Sequence, residues 1–238
     1  MKVQYFGDVN DYRKFALLRL FARTGGFRIG VCWMLTPADG RPDGKKRSYL
    51  EQPGEWSEYD PPLFELLRTV KPMPELSDLL RIENEGVILN ARFFNRITPD
   101  DRAGRLSFHQ ACLSDFAQCE LAFFDPDNGL DRPSFPQGRT NSSKYAYADE
   151  LAEHYGFGRS VLIYQHYPRE PRETFLTKTA SRLAENLPGV MIWSFHTADV
   201  AFLLAARPEH ADRIATSLGQ MANEWPTKFI KPQRHEVA

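Results

Sequence analysis

The chain has 238 residues, of which 42% are hydrophobic, and a formal net charge of −1 from 30 basic and 31 acidic side chains. That apolar content supports a sizeable core and excludes a disordered chain. The balanced charge excludes a protein held on nucleic acid by bulk charge alone, although a local basic groove remains compatible with it.

Asp8 or Asn10 is placed to cap a first helix running to Ala22. Tyr12, Phe15, Leu17, Leu18, Leu20 and Phe21 nearly encircle that helix, so it is read as largely buried. Asp11 and Lys14, three residues apart, read most simply as a surface ion pair. Residues 27–35 carry apolar side chains on both parities, the pattern of a central strand covered on two faces. A loop rich in Gly, Pro and Asp follows, from Thr36 to Gly44. Helices are expected over 61–70, 75–82 and 110–116, with a short strand over 86–90. Residues 121–124 form an apolar strand that stops at Asp125, and 144–155 reads as a helix. A buried strand over 160–164, a helix over 173–186, a strand over 189–193, an apolar run over 200–205 and a helix from Pro208 to Asn223 complete the pattern.

Strands alternating with helices predict an α/β fold: a Rossmann-like, doubly wound and mainly parallel sheet with helices on both faces. A single domain over 1–231 is expected, with a frayed tail over 232–238. Cys32, Cys112 and Cys119 fit no zinc spacing and read as reduced, buried thiols. The first residues lack a signal-peptide pattern and no apolar run reaches the ~20 residues that span a bilayer, so a cytoplasmic protein without a membrane partner is expected. Nothing in the sequence fixes the oligomeric state.

Parallel sheets bind ligands beyond the carboxyl ends of their strands. Three of the expected strands end in polar clusters: Thr36-Pro37-Ala38-Asp39-Gly40, Asp125-Pro126-Asp127-Asn128-Gly129 and Gln165-His166-Tyr167-Pro168-Arg169. The second cluster reads either as a turn or as a catalytic group in which two carboxylates and a carboxamide hold a metal or a substrate amine. Thr36, Asp39 and Gly40 are the candidates for approach to a nucleoside cofactor, without the G-x-G-x-x-G spacing. Gln165, His166 and Arg169 are the candidates for substrate binding, His166 and Arg169 suiting phosphate or acid–base work.

In this order the motifs resemble class I S-adenosylmethionine-dependent methyltransferases, nearest to bacterial large-subunit ribosomal RNA methyltransferases that modify an adenine amine. Gly7-Asp8-Val9-Asn10-Asp11-Tyr12-Arg13-Lys14 is similar to the family's Asn/Asp/Lys segment before the first strand. Asp125-Pro126-Asp127-Asn128 stands at the Asp-Pro-Pro-aromatic motif, with Asp127-Asn128 replacing Pro-aromatic and so removing the ring that would stack on a flipped base. The resemblance implies S-adenosylmethionine near Lys14, Thr36, Asp39 and Gly40, a substrate amine held by Asp125 and the Pro126 carbonyl, and a nucleic-acid partner. Two other readings stand beside it. One is a metal-dependent hydrolase or nuclease holding Mg²⁺ on Asp125 and Asp127, with Lys144, His166 or Arg169 near the phosphate. The other is a non-catalytic binding module on the same fold.

Overall fold

The computed structural model describes residues 1–37 and 46–237, so Asp39 and Gly40 lie outside the described residues. Among those described, the strands are β1 (Ile29–Cys32), β2 (Ala91–Phe94), β3 (Leu121–Phe124), β4 (Gly129–Leu130), β5 (Tyr145–Ala146), β6 (Ser160–His166), β7 (Met191–His196), β8 (Val200–Ala206) and β9 (Lys231–His235). The helices are α1 (Val9–Thr24), α2 (Pro53–Trp56), α3 (Pro61–Arg68), α4 (Leu76–Asn84), α5 (Arg102–Asp115), α6 (Ala148–Gly156), α7 (Arg172–Ala184) and α8 (Ala211–Glu224). No described helix is long and apolar enough to cross a membrane.

The fold is α/β and Rossmann-like, built on a seven-stranded sheet in the order β2-β1-β3-β6-β8-β7-β9. The four strands from β2 to β6 run parallel. β8 runs against both β6 and β7, and β9 runs against β7. The parity of the strands assigns the two faces. Ile29, Val31, Leu121, Phe123, Leu162, Phe202 and Leu204 join one core with Phe15, Phe21 and Leu79. Cys32, Ala122, Phe124, Val161, Ile163, Leu203 and Ala205 join the other with Cys112, Phe116, Leu151 and Leu176. Helices therefore cover both faces, and each fully buried large apolar side chain contributes about 1.5–3 kcal/mol. Gly30 permits a close approach to the sheet: a Cβ there would stand 2.6 Å from the Phe116 ring.

Four expectations are corrected. Residues 86–90 form no strand; Val87 and Ile88 are buried as irregular chain, and left-handed Asn90 (φ 55°) turns the backbone into β2 one residue later. The helix expected over 144–155 begins only at Ala148, because Tyr145 and Ala146 pair with Gly129 and Leu130. β7 shares the sheet with β6 but is not its neighbour, because the apolar run after it folds back as β8 and enters between them. The tail expected to fray carries β9, which pairs with β7 from Ile192↔His235 to His196↔Lys231. Lys231-Pro232-Gln233-Arg234 is polar because an edge strand faces solvent, and composition alone reads that as a tail.

Candidate functional site

The carboxyl ends of β3 and β6 meet the amino-terminal turn of α1 around a cavity of ≈ 1020 Å³. α1 begins there because Asp8 caps it, one carboxylate oxygen accepting from the Asn10 and Asp11 amides at 2.8 and 2.9 Å. The cap and the helical spacing carry Asp8, Asn10, Asp11 and Lys14 into the cavity wall.

Lys14 is the hub. Its ammonium donates to Asp11 at 2.5 Å and to Asp125 at 2.6 Å, joining the helix to the end of β3. The three side chains are 3%, 7% and 4% exposed, so the pair expected at the surface is a buried triad. Burial alone would lower the Lys14 pKa, but the Asp11 and Asp125 carboxylates outweigh it and hold the ammonium above its ordinary range. Burial raises the Asp125 pKa, a shift that Lys14 and the amino terminus oppose. The Asp8 carboxyl, in the same wall, is pushed up to about 7 by burial and then by the Asp11 charge.

Beside this triad, the Met1 amino group donates to the carbonyls of Met34 (2.8 Å) and Asp125 (2.7 Å) and pairs with Asp127 at 3.2 Å. Met34 holds a left-handed backbone (φ 44°) at the point where the chain leaves β1, a strained conformation for a non-glycine residue of the kind that gathers at functional sites. Thr36 donates its hydroxyl to Asp127 at 2.8 Å.

The structure brings Asp125, Pro126, Asp127, Asn128, Lys14, His166 and Arg169 to this one cavity. Thr36 is buried behind Asp127 and does not line it. Gln165 is turned away from the cavity to clip the loop after β3. Its side-chain oxygen accepts from the Leu130 amide at 2.8 Å, and its nitrogen donates to the Asn128 and His166 carbonyls at 3.1 and 2.9 Å. Only glycine fits beneath that clip: Gly129 has φ 102°, and a Cβ there would lie 2.3 Å from Gln165. Gln165 therefore positions Asp125-Pro126-Asp127-Asn128 and does not line the cavity. Burial and the Lys46 charge hold His166 below its ordinary imidazole range.

Tyr164, Arg172 and Asp199, which the sequence did not single out, also line the cavity, as do Asn10, read there as a cap and part of the Gly7–Lys14 segment, and Tyr167, read as part of the cluster after β6. The encircling apolar pattern of α1 was the available signal for Asn10, since a helix buried all round places its polar residues inside as well. Asp199 sits in the turn between β7 and β8 and bridges to Lys46 at 2.8 Å. Among the lining cations, Arg169 and Arg172 have no carboxylate within ion-pair distance among the described residues, while Lys144 interacts with the Asp100 carboxylate; Arg172 lies over the Tyr167 ring, 5.7 Å from its centroid.

The donor set does not fit a divalent metal. Asp125 is neutralised by Lys14, Asp127 by an ammonium group, and the described residues contain no group of three or more His, Cys, Asp or Glu side chains arranged to hold an ion. Asp125 and Asp127 share the cavity lining with the basic side chains of Lys144, Arg169 and Arg172. No family model matches the chain, and no curated protein matches it significantly. The class that fold and site define is thus an α/β protein with a polar cavity at the carboxyl edge of its sheet.

Proposed function

We propose that the protein is methyltransferase-like, acting on an exocyclic amine of nucleic acid with S-adenosylmethionine as methyl donor. The observation that carries the reading is the buried Asp125 carboxylate, fixed by Lys14 at the end of β3 in a cavity also lined by Arg169 and Arg172. Asp125 and the Pro126 carbonyl accept hydrogen bonds from the amine and orient its lone pair. Lys14 opposes the rise in the Asp125 pKa that burial causes, favouring the carboxylate that takes up the proton the amine sheds. When bound, S-adenosylmethionine would contribute an electrophilic methyl group at this wall. Lys144, Arg169 and Arg172 are placed to meet phosphates, and positioning by phosphate contacts carries no sequence preference.

Calorimetric titration tests this directly. S-adenosylmethionine is expected to bind the wild type and to keep most of its affinity in Asp125→Asn, while methyl transfer to an amine-bearing oligonucleotide is lost in that variant. Tight Mg²⁺ binding that disappears in both Asp125→Ala and Asp127→Ala, with no S-adenosylmethionine binding, would instead establish a metal-dependent hydrolase.

A further inference from the structure

The carboxylates of the inner cavity wall are occupied unequally by the protein itself. Both Asp11 oxygens are taken, one by Lys14 and the other by the Gly7 amide at 2.9 Å. Both Asp127 oxygens are taken, by Thr36 and by the Met1 amino group. Asp125 gives one oxygen to Lys14. Asp8 uses a single oxygen, Oδ1, for both amides of the α1 cap. Its Oδ2 has no hydrogen-bond or ion-pair partner among the described residues and is not sealed in by its neighbours, although Asp8 is only 9% exposed and lines the cavity.

The cap does not require a carboxylate. A helix N-cap needs one acceptor, which serine supplies without a charge. Burial and then the Asp11 charge push the Asp8 carboxyl up to about 7, so ionising it costs stability in the empty protein. Lys14 and the two cap amides oppose that shift without cancelling it. Arg13 on α1, Tyr164 on β6 and Tyr49 also act on Asp8 electrostatically, and none of them bonds Oδ2. Lys46, Asp125, Asp127, His166 and Asp199 share the cavity lining with it. A buried carboxyl held near neutrality with an open oxygen in a cavity has the character of a functional group.

We propose that Asp8 is a ligand-binding carboxylate of this cavity, its free Oδ2 accepting a hydrogen bond from an N–H group of the bound molecule. An ionised carboxylate only accepts, so pairing with a donor requires the proton to leave Asp8. Below pH 7 binding therefore expels a proton, and affinity rises with pH until Asp8 is ionised in the free protein as well. The N–H group belongs either to the substrate amine or to the amino group of S-adenosylmethionine. This inference rests on the amine-directed reading of the site and adds the residue that makes binding depend on pH.

Calorimetric titration of S-adenosylmethionine, adenosine and cytidine, each alone and in buffers of different ionisation enthalpy, counts the protons released and shows which source reaches Asp8. At pH 6 the wild type is expected to release about one proton with at least one probe, and to bind that probe about tenfold more weakly than at pH 8. Asp8→Asn keeps the cap acceptor but turns an amide donor toward the ligand, and Asp8→Ser keeps the cap and lacks the second oxygen. Both should bind about tenfold more weakly at pH 8 and lose the proton release, while His166→Gln, which removes the imidazole from the same lining, should retain it. Binding without proton release in the wild type, a measurement that needs no substitution, overturns the role of Asp8 and leaves the amine-directed reading standing. So does release that survives in both Asp8 variants or disappears in His166→Gln. Failure of the wild type to bind any of the three probes between pH 6 and 8 overturns that reading and the assignment with it.

Discussion

Replacing Lys14 by Met keeps most of the side-chain volume but removes the ammonium that Asp11 and Asp125 share. The two contacts, at 2.5 and 2.6 Å, are made by side chains no more than 7% exposed, so solvent cannot substitute for the lost charge. Breaking a buried ion pair on one side costs about 3–5 kcal/mol. In a chain of this size that is a fall of roughly 6–20 °C in melting temperature, at about 2–4 °C per kcal/mol. The sign with pH follows from linkage. Burial already holds the folded-state pKa of Asp125 above its unfolded value, and without Lys14 that rise is opposed less. The variant is then most stable below the unfolded pKa and loses stability as pH rises through the folded one. The deficit relative to wild type should therefore be largest near pH 8 and shrink toward pH 5, roughly the range over which a raised carboxyl titrates. Asp125→Asn added to Lys14→Met should recover about 1–3 kcal/mol, because the unpaired charge is gone. Urea unfolding of the three proteins at both pH values is the assay. A Lys14→Met deficit under about 1 kcal/mol, or one that grows toward acid, would refute the buried-triad reasoning.

Other outcomes follow from the same structure. Asp8, pushed up to about 7 in the fold from an ordinary 3.8, contributes stability that is full below the unfolded value and lost as pH rises through 7. Asp8→Asn keeps a cap acceptor, so its stability should stay flatter than wild type between about pH 5 and 8, by up to on the order of 4 kcal/mol, as read from denaturant midpoints. Gly129→Ala should cost about 2–4 kcal/mol through its left-handed φ and its overlap with Gln165. Gln165→Ala should cost about 1–3 kcal/mol by orphaning the Leu130 amide and should weaken ligand binding without itself touching the ligand. Equal binding by Gln165→Ala and wild type in calorimetry would show that the clip does not position the site. Ending the chain after Ile230 should lower stability by roughly 2–4 kcal/mol and promote association through the bared edge of β7; light scattering and thermal melts check it.

The parallel half of the sheet was legible because β1, β3 and β6 are buried on both faces and therefore apolar on both parities, a signal that needs no tertiary information. The antiparallel half was not, because the run at 200–206 is equally apolar whichever way it points, and direction depends on a turn at Thr197-Ala198-Asp199 that carries no glycine or proline. β9 was hidden by the polarity that suits an edge. At the site, the position of Asp125 could be read from the abrupt end of an apolar strand. The partnership of Lys14 with Asp125 could not, since it joins residues 111 positions apart. Gln165 misled for a related reason: a polar residue at a strand end serves a ligand or a neighbouring loop, and only the geometry around Gly129 decides between them.

The reversal of β8 also sets an order of events in folding. β7 and β8 are consecutive in the chain and pair as a hairpin, which closes on the microsecond scale and at small entropic cost. The parallel pairs β1–β2, β1–β3 and β3–β6 need crossovers, and the Lys14–Asp125 contact is among the most distant in sequence. Non-local contacts of this kind form slowly. The β7–β8 hairpin is thus expected to form early, and the cavity, which needs the non-local contacts, after it. Ligand affinity should return later in a refolding experiment than the far-ultraviolet signal of the sheet, and destabilising the hairpin should delay both.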